Sequence, residues 1–328
     1  MISFGRRNLL KGIPALAAGA AGAAMMKASP TEAADTPAAP ESSAVTYLPV
    51  AAQKQLITNT QLLKGKSYET FFNPKLVVPT QDALALQIGP LDKADCLTPS
   101  VADLNRLIDP SYKTPKQGYA VLDGSTAYVQ NSLFFPRATA EMFRWWFTWH
   151  PIEKERYMLW FPHAHIENSV KDPARLANKS LSYEDRLYDN PNYVKELVGP
   201  QAMELLIRFT DPAKLGFDAA AFKRAGFTAN ASGIVGPAQA PDVINSMMIH
   251  IARDVEGGME LVSRYWIGSH PEMRRFAGAE KAAAMMAQVG WNDQLAEMTA
   301  YELAVHDMIE FNHLAGILPA LFAQFGEG

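Results

Sequence analysis

NDQLAEMTAYELAVHDMIEFNHLAGILPALF, residues 292–322, reads as one long helix with a bend near Pro319. Leu303, Ile309, Leu314 and Leu318 make it apolar, yet Glu302, His306, Glu310 and His313 run along it as a polar stripe. His306 and Glu310 are four residues apart, so both project from one face. Helices chelate metals with such pairs, but 7 histidines and 34 acids in 328 residues yield roughly 0.7 of them by chance. The stripe carries more weight than the pair, because polar groups buried on so apolar a helix need partners.

Upstream of this helix the periodicity changes to that of strands. Val243 to Asp254 and Met259 to Ile267 form a hairpin around Gly257-Gly258. If those two glycines make the loop, Glu256 opposes Met259 and His250 lies directly across from Tyr265, with side chains ~5 Å apart. A loop two residues longer or shorter makes Tyr265 a diagonal neighbour on the same face. The pair is either a core contact or an acid–base site. Ala219 to Ala225 is a short helix, and Tyr193 to Phe209 is two strands interrupted at Gly199-Pro200. Glu196, inside the first, is either an exposed edge residue or an inward ligand.

Arg156 to His165 alternates as a strand, which puts Tyr157, Phe161, His163 and His165 on one face. His163-Ala164-His165 is a chelate geometry, or two strand-end histidines satisfied by carbonyls. Asp123-Gly124 is a hairpin turn, and Thr139 caps a helix through Trp149 whose face of Phe143, Trp146 and Phe147 needs an apolar partner.

Antiparallel strands followed by one long helix predict the α+β class, in a helix-grip arrangement of the Bet v 1/START type. There a curved sheet wraps the last helix and leaves a cavity beneath it. We assign this domain to residues 118–328. Residues 49–117 form a small, mainly helical unit, with helices from Val50 to Leu63 and after the capping residue Ser100, and without convergent chemistry. Residues 35–48 are small and Pro-containing, a flexible tether.

Residues 1–34 carry Gly5-Arg6-Arg7-Asn8-Leu9-Leu10-Lys11, a mildly apolar Ile13 to Met26, and a small-residue end at Ala34. That order reads as a twin-arginine signal peptide, with the mature protein periplasmic or secreted and without a membrane anchor. Loss of four cations and one acid with residues 1–34 takes the net charge from −4 to −7. No basic field points to nucleic acid. Cys96 is the only cysteine, so any metal sits on His, Asp and Glu.

Phe143-Arg144-Trp145-Trp146-Phe147, Glu155-Arg156-Tyr157, Trp160 through His165, Asp211 through Phe217 and His306-Asp307-Met308-Ile309-Glu310 resemble the diacetylphloroglucinol and phloretin hydrolases over about residues 45–328. The resemblance implies one Zn²⁺, with Fe²⁺ or Mn²⁺ as alternatives, on His165, Glu196, His306 and Glu310. His163 stands as the rival to His165. It implies cavity residues Tyr157, Asn168, His250 and Tyr265, and hydrolysis of the bond between a polyhydroxylated ring and an acyl group in a small aromatic ketone. A homodimer is expected. Two other functions fit the pattern, a periplasmic carrier of aromatic ligands and a metal-dependent oxygenase.

Overall fold

The computed structural model describes residues 41–45 and 48–326; the stretch read as a signal peptide lies outside them. Two short strands, β1 (Ser42–Ala44) and β2 (Val77–Pro79), pair antiparallel. Part of the expected tether is thus built into a small sheet. The remaining strands, nine among the described residues, form one antiparallel sheet. They are β3 (Gly118–Leu122), β4 (Thr126–Pro136), β5 (His165–Val170), β6 (Asn192–Val198), β7 (Gln201–Phe209), β8 (Ala229–Asn230), β9 (Gly233–Pro237), β10 (Ser246–Val255) and β11 (Gly258–Ile267). The order is β3-β4-β11-β10-β9-β7-β6-β5, with β8 on β10. Strands consecutive in sequence pair with one another in β3–β4, β5–β6–β7 and β9–β10–β11, whereas β11 returns beside β4 and β9 lies beside β7.

One helix, Asp293–Phe325, runs along the sheet, entered through Asn292, whose side chain accepts from the Leu295 amide. The class is α+β with a long C-terminal helix. Alternation along β11 divides the interior in two. Leu261 and Tyr265 join the core that holds the C-terminal helix, whereas Val262 and Trp266 join a second core on the other face. Helices α1 (Val50–Leu62), α2 (Thr80–Gln87), α3 (Val101–Leu107) and α4 (Ala140–Trp149) precede or interrupt the strands. Ser100 and Thr139 cap α3 and α4 as the sequence predicts. From Pro40 onward the chain is one unit. No helix among the described residues is long and apolar enough to cross a membrane.

Two local expectations fail. Lys154–Leu159 is a 3₁₀ helix, and a turn follows it, so the strand starts only at His165. Tyr157, Phe161, His163 and His165 therefore share no strand face. Tyr157, Met158, Leu159, Trp160 and Phe161 are all buried, so the run is apolar on every side and carries no usable period. The β10–β11 loop is also one residue earlier than expected. Val255 pairs with Gly258, so the loop is Glu256-Gly257, His250 opposes Ser263, and Tyr265 opposes Met248. Tyr265 is the diagonal neighbour of His250.

The reason lies in the different work of the two glycines. Gly257, at φ +78°, supplies the left-handed turn residue. Gly258 is in the strand, where an added Cβ would come 2.2 Å from the Phe135 carbonyl oxygen. Gly258→Ala is expected to lower unfolding free energy by ~1–3 kcal/mol, since backbone on β4 cannot yield as a side chain would. Denaturant unfolding with bound metal held constant checks this; a loss near zero would place the loop wrongly.

Candidate metal centre

Between the sheet and the C-terminal helix lies a cavity of about 220 Å³. Its wall is mostly apolar, including Phe147, Trp160, Leu205 and Met248, and it receives Tyr157, Asn168, Glu196, His250, Tyr265, His306 and Glu310. Glu302, from the predicted stripe, also lines it, whereas His313 is buried beside His163 away from this wall.

Glu196 on β6 is the direct cross-strand partner of His165 on β5, with a bulge just after His165. A carboxylate whose sequence context by itself favoured an exposed edge thus lines the cavity. His165 Nε2 lies 3.1 Å from Glu310 Oε2 and 3.7 Å from Glu196 Oε2, and His306 Nε2 lies 3.7 Å from Glu310 Oε2. Ligand atoms of His165, Glu196 and His306 all fall within 4.8 Å of one another. Ligands tetrahedrally placed at Zn²⁺ distances would be separated by about 3.4 Å. The two histidine Nε2 atoms are buried without hydrogen-bond partners, which is what nitrogens awaiting a cation look like. The residues present fit a divalent metal. His163, by contrast, lies outside this cluster.

The supports of these groups come from several elements. His165 Nδ1–H donates to the Tyr157 carbonyl at 3.1 Å, so Nε2 is the free lone pair. The Tyr157 ring stacks on His165 at 3.8 Å, and its hydroxyl donates to Glu196 Oε2. Burial raises the Tyr157 hydroxyl well above its ordinary pKa, so it remains a donor. Asn59 of α1 donates to the carbonyls of Pro162 and His165 at 2.9 and 2.8 Å. Helix α1 thus holds the turn that aims His165, a role its sequence did not reveal.

Burial pulls the His306 pKa down, but the Glu310, Glu196 and Asp307 carboxylates outweigh it and raise it to about 9. Burial raises Glu310 to about 8, despite His306 beside it. Without metal the pair therefore keeps a proton at neutral pH. Metal binding at pH 7 is expected to release at least one proton, with apparent affinity rising about tenfold per pH unit for each proton released. Calorimetric titration with zinc in buffers of different protonation enthalpy measures it. Metal uptake without proton release would mean that these groups are not the ligands.

A second network lies deeper. His250 Nδ1 is 3.0 Å from Ser263 Oγ, and its Nε2 is 3.0 Å from the Tyr265 hydroxyl. Ser263 and Tyr265 both donate to Asp307 Oδ1 at 2.8 Å, while Asn131 donates to Oδ2 at 2.7 Å. The single Ser263 hydrogen is spent on Asp307, so Ser263 Oγ accepts from His250 Nδ1–H. His250 Nε2 is then the basic nitrogen, and the Tyr265 hydrogen has two acceptors within reach. Burial lowers the His250 pKa to about 3, so the imidazole is neutral rather than poised near ~6.5 as an exposed one would be. Asn131, Ser263 and Asp307 were not singled out from sequence. Asp307 follows His306, but only the register of β4 and β11 shows that three donors meet there.

Asn168, on β5, has its amide nitrogen 3.1 Å from His150 Nε2. His150 Nδ1–H donates to the Trp146 carbonyl at 2.7 Å, so its Nε2 must accept. This fixes the Asn168 amide and leaves Oδ1, buried and without a partner among the described residues, as a free acceptor on a cavity-lining residue.

Residues 97–323 match the family described as DAPG hydrolase PhiG domain. The 2,4-diacetylphloroglucinol hydrolase of a Pseudomonas species is 45% identical over 281 residues, covering 86% of this chain and 96% of that protein. The enzyme of the same name from Pseudomonas protegens is 45% identical over 281 residues, or 86% and 92%. Phloretin hydrolase of Eubacterium ramulus is 25% identical over 274 residues, covering 80% of this chain and 91% of that protein.

Proposed function

Because this chain belongs to the DAPG hydrolase family, we propose that it hydrolyses the carbon–carbon bond joining an acyl group to a polyhydroxylated aromatic ring. The substrate class is the acylphloroglucinols and phloretin-like ketones, and the products are the deacylated phenol and a carboxylic acid. The observation that carries this reading is the convergence of two imidazoles and two carboxylates, with unpartnered Nε2 atoms, on an apolar cavity. Zn²⁺ on His165, Glu196, His306 and Glu310 is the metal the donor set suits best. When bound it would polarise a substrate oxygen as a Lewis acid.

The chain's own residues divide the remaining work. His250, neutral and with Nε2 free of its own hydrogen, takes a proton from water as the oxygen attacks the acyl carbonyl carbon. The ring carbon that bears the acyl group takes up a proton, which His250 can return, and ring hydroxyls ortho and para to it stabilise this ring-protonated form. The bond between ring and acyl carbon then breaks, and its electron pair restores the aromatic ring. Ser263 and Asp307 orient His250, in the manner of a base held by a third group. Tyr157, Tyr265 and the free Asn168 acceptor hold ring hydroxyls. The apolar wall excludes bulk water.

We read the fold as helix-grip, with the cavity under the C-terminal helix as the substrate chamber, and residues 1–34 as a twin-arginine leader that delivers a folded, metal-loaded enzyme outside the cytoplasm. Incubation of the zinc-loaded protein with acylphloroglucinols and chalcone-like ketones, followed by mass, is expected to give one free acid per deacylated ring. Ligand retention without turnover would point instead to a carrier, and oxygen consumption to an oxygenase.

A further inference from the structure

Arg264 is 1% exposed and has no carboxylate partner among the described residues. It lies on β11 between Ser263 and Tyr265, and by strand alternation it faces the opposite side of the sheet from the cavity above. Its Nη1 donates to the carbonyls of Asn131 and Ser263 at 3.0 and 2.7 Å. Nε is buried with no hydrogen-bond partner, and no bond from Nη2 is found among the described residues. The Nε/Nη2 edge is the side of a guanidinium that matches two oxygens of one anion. A buried charge left without a counter-charge is costly, so a site this deep calls for a compensating group.

Arg264 lines a separate cavity of about 260 Å³ together with Lys113, Lys116, Arg253, Tyr112 and Thr114. The two carboxylates on its wall are already engaged. Glu260 is held by Arg253 at 2.8 and 2.7 Å, and Asp109 accepts from the Ser111 amide and hydroxyl at 2.8 Å. Lys113 donates to the Pro110 carbonyl at 3.1 Å, and its side chain is exposed, as is that of Lys116. Four cations therefore face two carboxylates around one pocket, only Arg253 is ion-paired among the described residues, and the deepest cation, Arg264, is among those that are not.

We propose that this pocket is an anion site, and that it takes a compact oxyanion, a small carboxylate or inorganic phosphate, on the free edge of Arg264 with Lys113 and Lys116 at the mouth. The site is distinct from the proposed metal centre and does not depend on the hydrolase reading. Its position bears instead on the network around His250 and Asp307. The two carbonyls that hold Arg264 belong to Asn131 and Ser263, whose side chains hold Asp307 on the other face.

The test is calorimetric titration of the full-length, metal-loaded protein with inorganic phosphate and, separately, with acetate, at fixed ionic strength. Saturable one-site binding of at least one of them is expected, and the comparison of the two identifies the preferred oxyanion. Lys113→Ala with Lys116→Ala, both exposed, should weaken binding at least threefold, and Arg264→Gln should abolish it. His306→Ala should leave it intact, since phosphate captured at the metal centre would instead be lost there. Absence of saturable binding, binding that vanishes with His306, or binding indifferent to the lysine pair would each overturn the proposal, whether or not Arg264→Gln folds.

Discussion

Replacing His306 by alanine is expected to strip the protein of bound metal and of turnover together. His306 Nε2 is buried, has no hydrogen-bond partner, and lies 3.7 Å from Glu310 Oε2 in a cluster of two imidazoles and two carboxylates. Without it Glu196 and Glu310 share a dry pocket with a single imidazole, and both the donor count and the geometry for a four-coordinate cation are lost. Lewis-acid polarisation is worth several kcal/mol, and at about 1.4 kcal/mol per factor of ten its loss costs on the order of 10³-fold or more in turnover. Metal analysis of the purified variant beside wild type decides the matter. A variant retaining one equivalent of zinc would remove His306 from the proposed ligand set. The fold should survive, because the C-terminal helix is anchored by Leu314, Leu318 and Leu321, all fully buried.

The second large effect separates chemistry from metal. His250→Ala is expected to keep the metal, because no atom of His250 enters the cluster, and to lose turnover by ~10²–10⁴-fold. The two variants thus differ in a readout besides activity. Since burial holds His250 at about 3, the activity of wild type should show no acid limb near pH 6.5 from this imidazole. His250 remains the unprotonated base down to the pH at which it finally charges. Tyr265→Phe removes the hydroxyl shared between His250 and Asp307 and should cost less than His250→Ala, since the base itself remains. A fully active His250→Ala protein would transfer the base role to another group on the cavity wall.

Much of the architecture was legible because its causes are local. Thr139 and Ser100 cap their helices with their own side chains, and Asp123-Gly124 turns a hairpin whatever surrounds it. His306 and Glu310 share a face through helical spacing alone. The resemblance to known hydrolases extended this local reading to His165 and Glu196, which lie in stretches with no signal of their own strong enough to select them.

The remainder was decided in three dimensions. The segment before His165 is apolar on every side, so only packing could choose a 3₁₀ helix over a strand. The Glu256-Gly257 loop was set by Gly258 approaching β4, a contact between residues more than a hundred positions apart. Separation in sequence also hides the network around Asp307, whose donors Asn131, Ser263 and Tyr265 lie 176, 44 and 42 residues away. Side-chain type and helical or strand period act within one element, so they could say which residues were suited to a site. Sheet register and the placing of one helix against it act between elements, and those determined which of them meet.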